Sequence, residues 1–104
     1  MTGETVYDAL WPGGPPGVPV TPAAARPASL AGKRIAYLWD YMFRGDEIFP
    51  VLHQGLAERF GAVEAIGHER FGSVFGGDEE AVLAALPATL REMGVDAVVS
   101  GIGC

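Results

Sequence analysis

Val95-Asp96-Ala97-Val98-Val99-Ser100-Gly101-Ile102-Gly103-Cys104 is the stretch on which the reading of this chain turns. An apolar, β-branched run of this kind, entered straight from Gly94 and closed by two glycines, predicts a buried parallel strand leading into a tight turn. In open α/β sheets, ligands collect just outside the carboxyl ends of the strands, where a βα turn hands over to a helix N-terminus. The strand and the turn are present here, and no helical pattern follows them. The expectation is that this end of the sheet carries part of a site.

Working back from that strand, Glu79–Met93 carries Val82, Leu83, Leu86, Leu90 and Met93 at helical spacing, with Asp78 as a candidate N-cap and two acids in the first turn where the macrodipole favours them. Pro87 interrupts this pattern and predicts a kink or break. His68–Gly77 is a ten-residue loop with three glycines and two phenylalanines, longer than most βα connections and therefore a candidate binding loop. Ala62–Gly67 reads as a short second strand. Before it, Ile48, Phe49, Leu52, Leu56 and Phe60 form the apolar stripe of a first helix that Gly61 stops, with Asp46 as its expected cap and Pro50 in its first turn. Lys33–Trp39 is the first strand, joined to that helix by the loop Asp40–Gly45.

The order strand, helix, strand, helix, strand predicts a small three-layer α/β domain of βαβαβ type, over residues 30–104. It is a flavodoxin-like or racemase-like half, with right-handed crossovers and the first strand central. The third strand is then an open edge, so a second polypeptide or another copy of the chain is the expected partner covering it. Residues 1–29 are set apart as an arm, because six of the eight prolines lie between Pro12 and Pro27 and proline removes backbone donors. Two readings of the arm stay open. It is either a loosely docked tail or, because of Val6, Tyr7, Leu10 and Trp11, a segment that packs across a neighbouring subunit.

Composition narrows the classes of function. A chain of 104 residues with 49% apolar residues and a mean hydropathy of +0.23 is a single globular unit with a modest core. A net charge of −6 with seven scattered basic residues argues against a nucleic-acid partner, since phosphate binding needs clustered Lys and Arg. No apolar run reaches membrane-spanning length and no signal peptide is legible, so a cytoplasmic protein without membrane association is expected. One cysteine excludes an internal disulfide.

Three segments carry a resemblance to a known family. Ala28–Ala36 (ASLAGKRIA), Leu38–Glu47 (LWDYMFRGDE) and Gly94–Gly103 (GVDAVVSGIG) resemble the N-terminal half of the UGSC-like family, named for a motif in which selenocysteine or cysteine is followed by Gly-Ser-Cys. The resemblance covers most of residues 28–104 and leaves out the arm. In that family the strand ends in Gly-x-Gly-x and runs directly into the motif, so Gly101, Ile102 and Gly103 match the lead-in and Cys104 the residue before the signature. The resemblance therefore implies either a chain read as ending at a selenocysteine codon or a split enzyme whose second polypeptide brings the motif. It also implies a selenol or thiol held at a helix N-terminus, where the dipole stabilises the anion, with a cysteine one turn away for reversible bond formation.

The chemistry so implied is redox on a small-molecule substrate, with the isolated chain inactive. Two alternatives stand beside it: addition, elimination or racemisation of a small organic acid, as in racemase-like folds with a cysteine base or nucleophile, and a non-catalytic interaction module. Cys104 is the candidate catalytic residue, weakened by its own carboxylate and the missing helix dipole. Asp40 and Arg44, after the first strand, are candidates for hydrogen bonding and for pairing with a substrate carboxylate; their bland alternative is a loop salt bridge from Arg44 to Asp46 or Glu47. Tyr41 and Phe43 are candidate pocket walls and His68 points to the same rim, while Gly101 and Gly103 allow close approach of a substrate to the backbone. His53 reads as packing. No metal spacing and no dinucleotide fingerprint are present, so no cofactor is expected.

Overall fold

A computed structural model of the chain describes residues 3–15 and 17–103. Its elements in order are β1 (Arg34–Trp39), α1 (Gly45–Phe60), β2 (Glu64–Ile66), a 3-10 turn over His68–Arg70, α2 (Glu79–Glu92) and β3 (Ala97–Gly101). The three strands form one parallel sheet in the order β2-β1-β3, so the first strand is central. β1 is buried along its length from Ile35 to Trp39. That continuous burial is what an apolar, unalternating strand requires, namely cover on both faces.

The cover comes from one helix on each side. Ile35, Tyr37 and Trp39 point to one face and pack with Phe49 and Leu56 of α1, together with Ala97 and Val99 of β3. Ala36 and Leu38 point to the other face, where Leu86 and Leu90 of α2 and Met93 just after it meet Ile66 and Phe71. Alternation along β1 thus sorts its side chains between two small cores. α2 does not extend over β3. Val98, on that side of the edge strand, is 42% exposed, and Ser100 is exposed with it.

Several local expectations are corrected. Asp46 does not cap α1, since the helix begins one residue earlier at Gly45 and its N-cap residue is Arg44, with no side-chain cap bond. Pro50 consequently falls in the second turn rather than the first. Asp78 occupies the N-cap position of α2 but makes no side-chain cap bond either. Pro87 does not break α2, which runs from Glu79 to Glu92; it is exposed, and the Leu83 carbonyl it cannot satisfy lies on a face open to water. The stops at Gly61 and Gly94 use the left-handed region, with φ of 86° and 63°.

The buried stripe of α1 is also rotated from the expected one. Phe49, His53, Leu56 and Phe60 face inward or are half-buried, while Ile48 and Leu52 are 45% and 40% exposed. His53 is turned in because two polar groups wait for it. Its Nε2 lies 3.0 Å from the Val63 carbonyl and its Nδ1 lies 2.8 Å from the Tyr37 hydroxyl. A carbonyl only accepts, so Nε2 carries the proton and donates, leaving Nδ1 to accept from the phenol.

At the amino ends of the strands, the Arg34 backbone N–H donates to the Asp96 carboxylate at 2.9 Å, and the Asp96 N–H donates to the Arg34 carbonyl at 2.9 Å. Arg34 Nε pairs with Glu64 at 2.9 Å; both side chains are about half exposed, so the pair contributes little, on the order of 0–1 kcal/mol. The described residues of the arm contain no helix or strand. Val6, Tyr7, Leu10 and Trp11 are all exposed, and the longest dimension of the molecule is 77 Å against 35 and 27 Å. No helix of the described residues is long and apolar enough to cross a membrane.

Candidate functional site

The carboxyl ends of β1 and β3 meet at register partners Trp39 and Gly101, and two loops converge on them. After β1, the Asp40 N–H continues the ladder by donating to the Gly101 carbonyl at 3.1 Å. Its side chain then turns back over the turn that follows β3. Asp40 Oδ1 accepts the N–H of Met42 at 3.1 Å and the N–H of Ile102 at 3.0 Å. A single carboxylate oxygen thus fixes both the loop leaving β1 and the glycine turn leaving β3.

Trp39 is the floor of this region. Its indole N–H donates to the Met42 carbonyl at 2.9 Å, and Gly45 presses so closely beneath the ring that a Cβ there would collide with it. The Tyr41 ring stacks on Trp39 at a centroid distance of 4.5 Å, and His68 meets both rings edge-on, at 4.8 Å and 5.4 Å. Offset stacking and edge-to-face contacts of this kind add about 0.5–1.5 kcal/mol per pair to the burial. The loop pays for this arrangement in backbone strain, since Tyr41 and Phe43 both have positive φ, 61° and 59°, at about 1–3 kcal/mol each. From the other side, the loop after β2 pairs Ser73 with Trp39, and the Val74 N–H donates to the Trp39 carbonyl at 3.2 Å.

The structure therefore brings together Asp40, Tyr41, His68 and Gly101 around Trp39. Gly103 follows the clamped Ile102 and is exposed. Arg44 is not part of this group. It pairs with Glu47 at 3.5 Å on the outer side of α1, 81% exposed, beside a groove formed with Ile48, Val51 and Leu52. Phe43 is 64% exposed. Cys104 lies outside the described residues. Among the described residues, no group of three or more His, Cys, Asp or Glu side chains is placed to hold a metal ion.

Beside this rim, between the first turns of α1 and the end of β2, is a cleft of about 410 Å³. Phe49, Pro50 and Ala65 form its apolar walls, and Asp46, His68 and Glu69 also line it. The sequence marked one side of it, since His68 and Glu69 belong to the candidate binding loop His68–Gly77, but gave no sign that Asp46, Phe49 and Pro50 face that loop. His68 Nδ1 is buried without a partner.

Tyr37 lies under the same cleft, and desolvation by burial raises its pKa above the ordinary 10.0. The neutral phenol is the favoured form in the fold. Its stabilisation is fully present below the unfolded value and is lost as pH rises through the higher folded value. Thermal melts should therefore fall from about pH 10 upward more steeply for the native chain than for Tyr37→Phe. Equal slopes for the two proteins would remove burial of Tyr37 as the cause.

These features define a class: a small parallel α/β unit with one helix on each face of its sheet. The chain belongs to the UGSC family, whose sequence model matches residues 8–104. The match begins inside the arm, so the family's domain takes in most of the segment that the resemblance over residues 28–104 left out. No curated protein and no solved structure matches the chain.

Proposed function

We propose that this chain supplies the substrate-facing half of a thiol- or selenol-dependent enzyme that carries out redox chemistry on a small molecule in a reducing, cytoplasmic compartment. The observation that supports it most is the Asp40 clamp, with Oδ1 at 3.0 Å from the Ile102 N–H. In the family resemblance the reactive motif follows this turn directly, so the clamp sets the direction in which a selenol or thiol leaves the sheet. Trp39, Tyr41 and His68 then form the wall against which a substrate lies. In the chemistry the motif implies, the first selenol or thiol and the cysteine three positions on lose two protons and two electrons to form an Se–S or S–S bond, and the substrate is the electron acceptor. With Arg44 paired to Glu47, the rim lacks the guanidinium that a racemase-like reaction on an organic acid would call on.

The same reading gives β3 a partner. Among the described residues its outer edge has no partner strand and Val98 is exposed, so a further polypeptide segment, from a second chain or a second copy, covers it. The test is genetic and then chemical. The DNA after the Cys104 codon, or an adjacent gene, should encode selenocysteine or cysteine followed by Gly-Ser-Cys. The protein carrying that motif should show a two-proton mass difference between oxidised and reduced forms. Absence of the motif from both places sinks the proposal, as does a complete protein whose motif never forms the bond.

A further inference from the structure

We infer that the cleft between α1 and the end of β2 is a binding site for a small organic cation, a primary amine carrying an apolar or aromatic body. This inference does not rest on the redox proposal, although His68 lines both the cleft and the rim, and it needs no residue beyond the described ones. A cleft of about 410 Å³ is in the range that takes small molecules, and Phe49, Pro50 and Ala65 give it an apolar interior that recognises a hydrocarbon body. The charged groups on it are of one sign. Asp46 and Glu69 line it, and neither lysine nor arginine does.

Both carboxylates reach solvent while Phe49 is 6% exposed, so negative charge rings the opening and apolar surface makes the floor. Glu69 folds back over Gly67, and its carboxylate lies 3.8 Å from His68 Nε2 with the side chain 70% exposed. Asp46 and Glu47 also occupy the first turn of α1, cancelling the attraction that a helix N-terminus would offer an anion. A carboxylate ligand would meet like charge at the opening, an ammonium opposite charge. The face of the cleft lies on the β2 side of the sheet, away from the free edge of β3, so a partner covering that edge leaves it open.

The test titrates the full chain with benzylamine, benzyl alcohol and phenylacetate, read by calorimetry and by amide shifts of Ala65, Gly67 and His68. Benzylamine should bind about tenfold more tightly than either of the other two, and more weakly as salt is raised. Glu69→Gln and Asp46→Asn, both at solvent-exposed carboxylates, should each weaken benzylamine about two- to fivefold and leave benzyl alcohol unchanged. The inference is overturned if phenylacetate or benzyl alcohol binds as well as the amine, if the two substitutions together leave amine binding unchanged, or if no saturable binding reaches those three amides. Circular dichroism of each variant separates a lost site from a lost fold, and either single variant suffices.

Discussion

Gly45→Ala is expected to destabilise the protein by about 2 kcal/mol, lowering its melting temperature by about 10 °C, although alanine is the better helix former by about 1 kcal/mol. The sign is the test. Gly45 is the first residue of α1 and is buried, and a Cβ built there would fall inside contact distance of the Trp39 indole. The ring has nowhere to go. Its N–H is committed to the Met42 carbonyl at 2.9 Å, Tyr41 lies flat against it, and His68 abuts its edge. Accommodating one methyl group therefore means either shifting α1 or breaking the stack. Trp39→Phe in the same background should recover part of the loss by making room. A Gly45→Ala protein that melts at or above the native temperature would show that helix propensity outweighs this contact.

The second large effect is expected at Asp40, where two substitutions should part company. Asp40→Ala leaves the N–H groups of Met42 and Ile102 without their acceptor, at about 1–3 kcal/mol for each group that water cannot reach. Asp40→Asn keeps an oxygen at the Oδ1 position and should cost less than about 1 kcal/mol. Hydrogen exchange reads the difference locally. The Ile102 amide should be protected in the native chain and in the asparagine variant and should exchange faster in the alanine variant, while the Ala36 and Tyr37 amides in the central strand keep their protection. Unchanged Ile102 exchange in Asp40→Ala would mean that the carboxylate does not hold the turn.

The outline of the fold was legible because it rests on period and punctuation. A continuous apolar run such as Ile35–Trp39 has few ways to be buried other than as a central parallel strand, and Gly61 and Gly94 end their helices by a conformation that other residues resist. The errors fall where a polar partner or a neighbouring ring decides. Leu52 and His53 are adjacent on α1, and hydropathy alone turns the leucine inward; the Tyr37 hydroxyl and the Val63 carbonyl reverse that choice, and they lie in other segments. Pro87 looked like a break because the sequence does not say that it faces water.

The candidate site was legible in part for the same reason. Placement at the strand ends follows from topology, so Asp40, Tyr41, His68 and Gly101 come together as the connectivity requires. Roles do not follow from topology. Asp40 read as a group free to meet a substrate, whereas one of its oxygens is spent on two backbone donors. Arg44 read either as a carboxylate fork or as the partner of Asp46 or Glu47, and the structure has the second, with Glu47 at 3.5 Å. The cleft beside α1 was legible only from its loop side, through His68–Gly77, since its acids come from two unrelated segments.

Asp96 and Asp40 stand at opposite ends of the same pair of strands, and each ties β3 to β1 through a backbone N–H. An edge strand with a single neighbour would ordinarily fray and swing from its ends. Here both ends are bolted to the central beam of the sheet, so a pull on the chain beyond Gly103 is borne by β1 and the two cores around it rather than by the free margin. The turn after β3 is thus aimed by the most deeply buried strand of the structure.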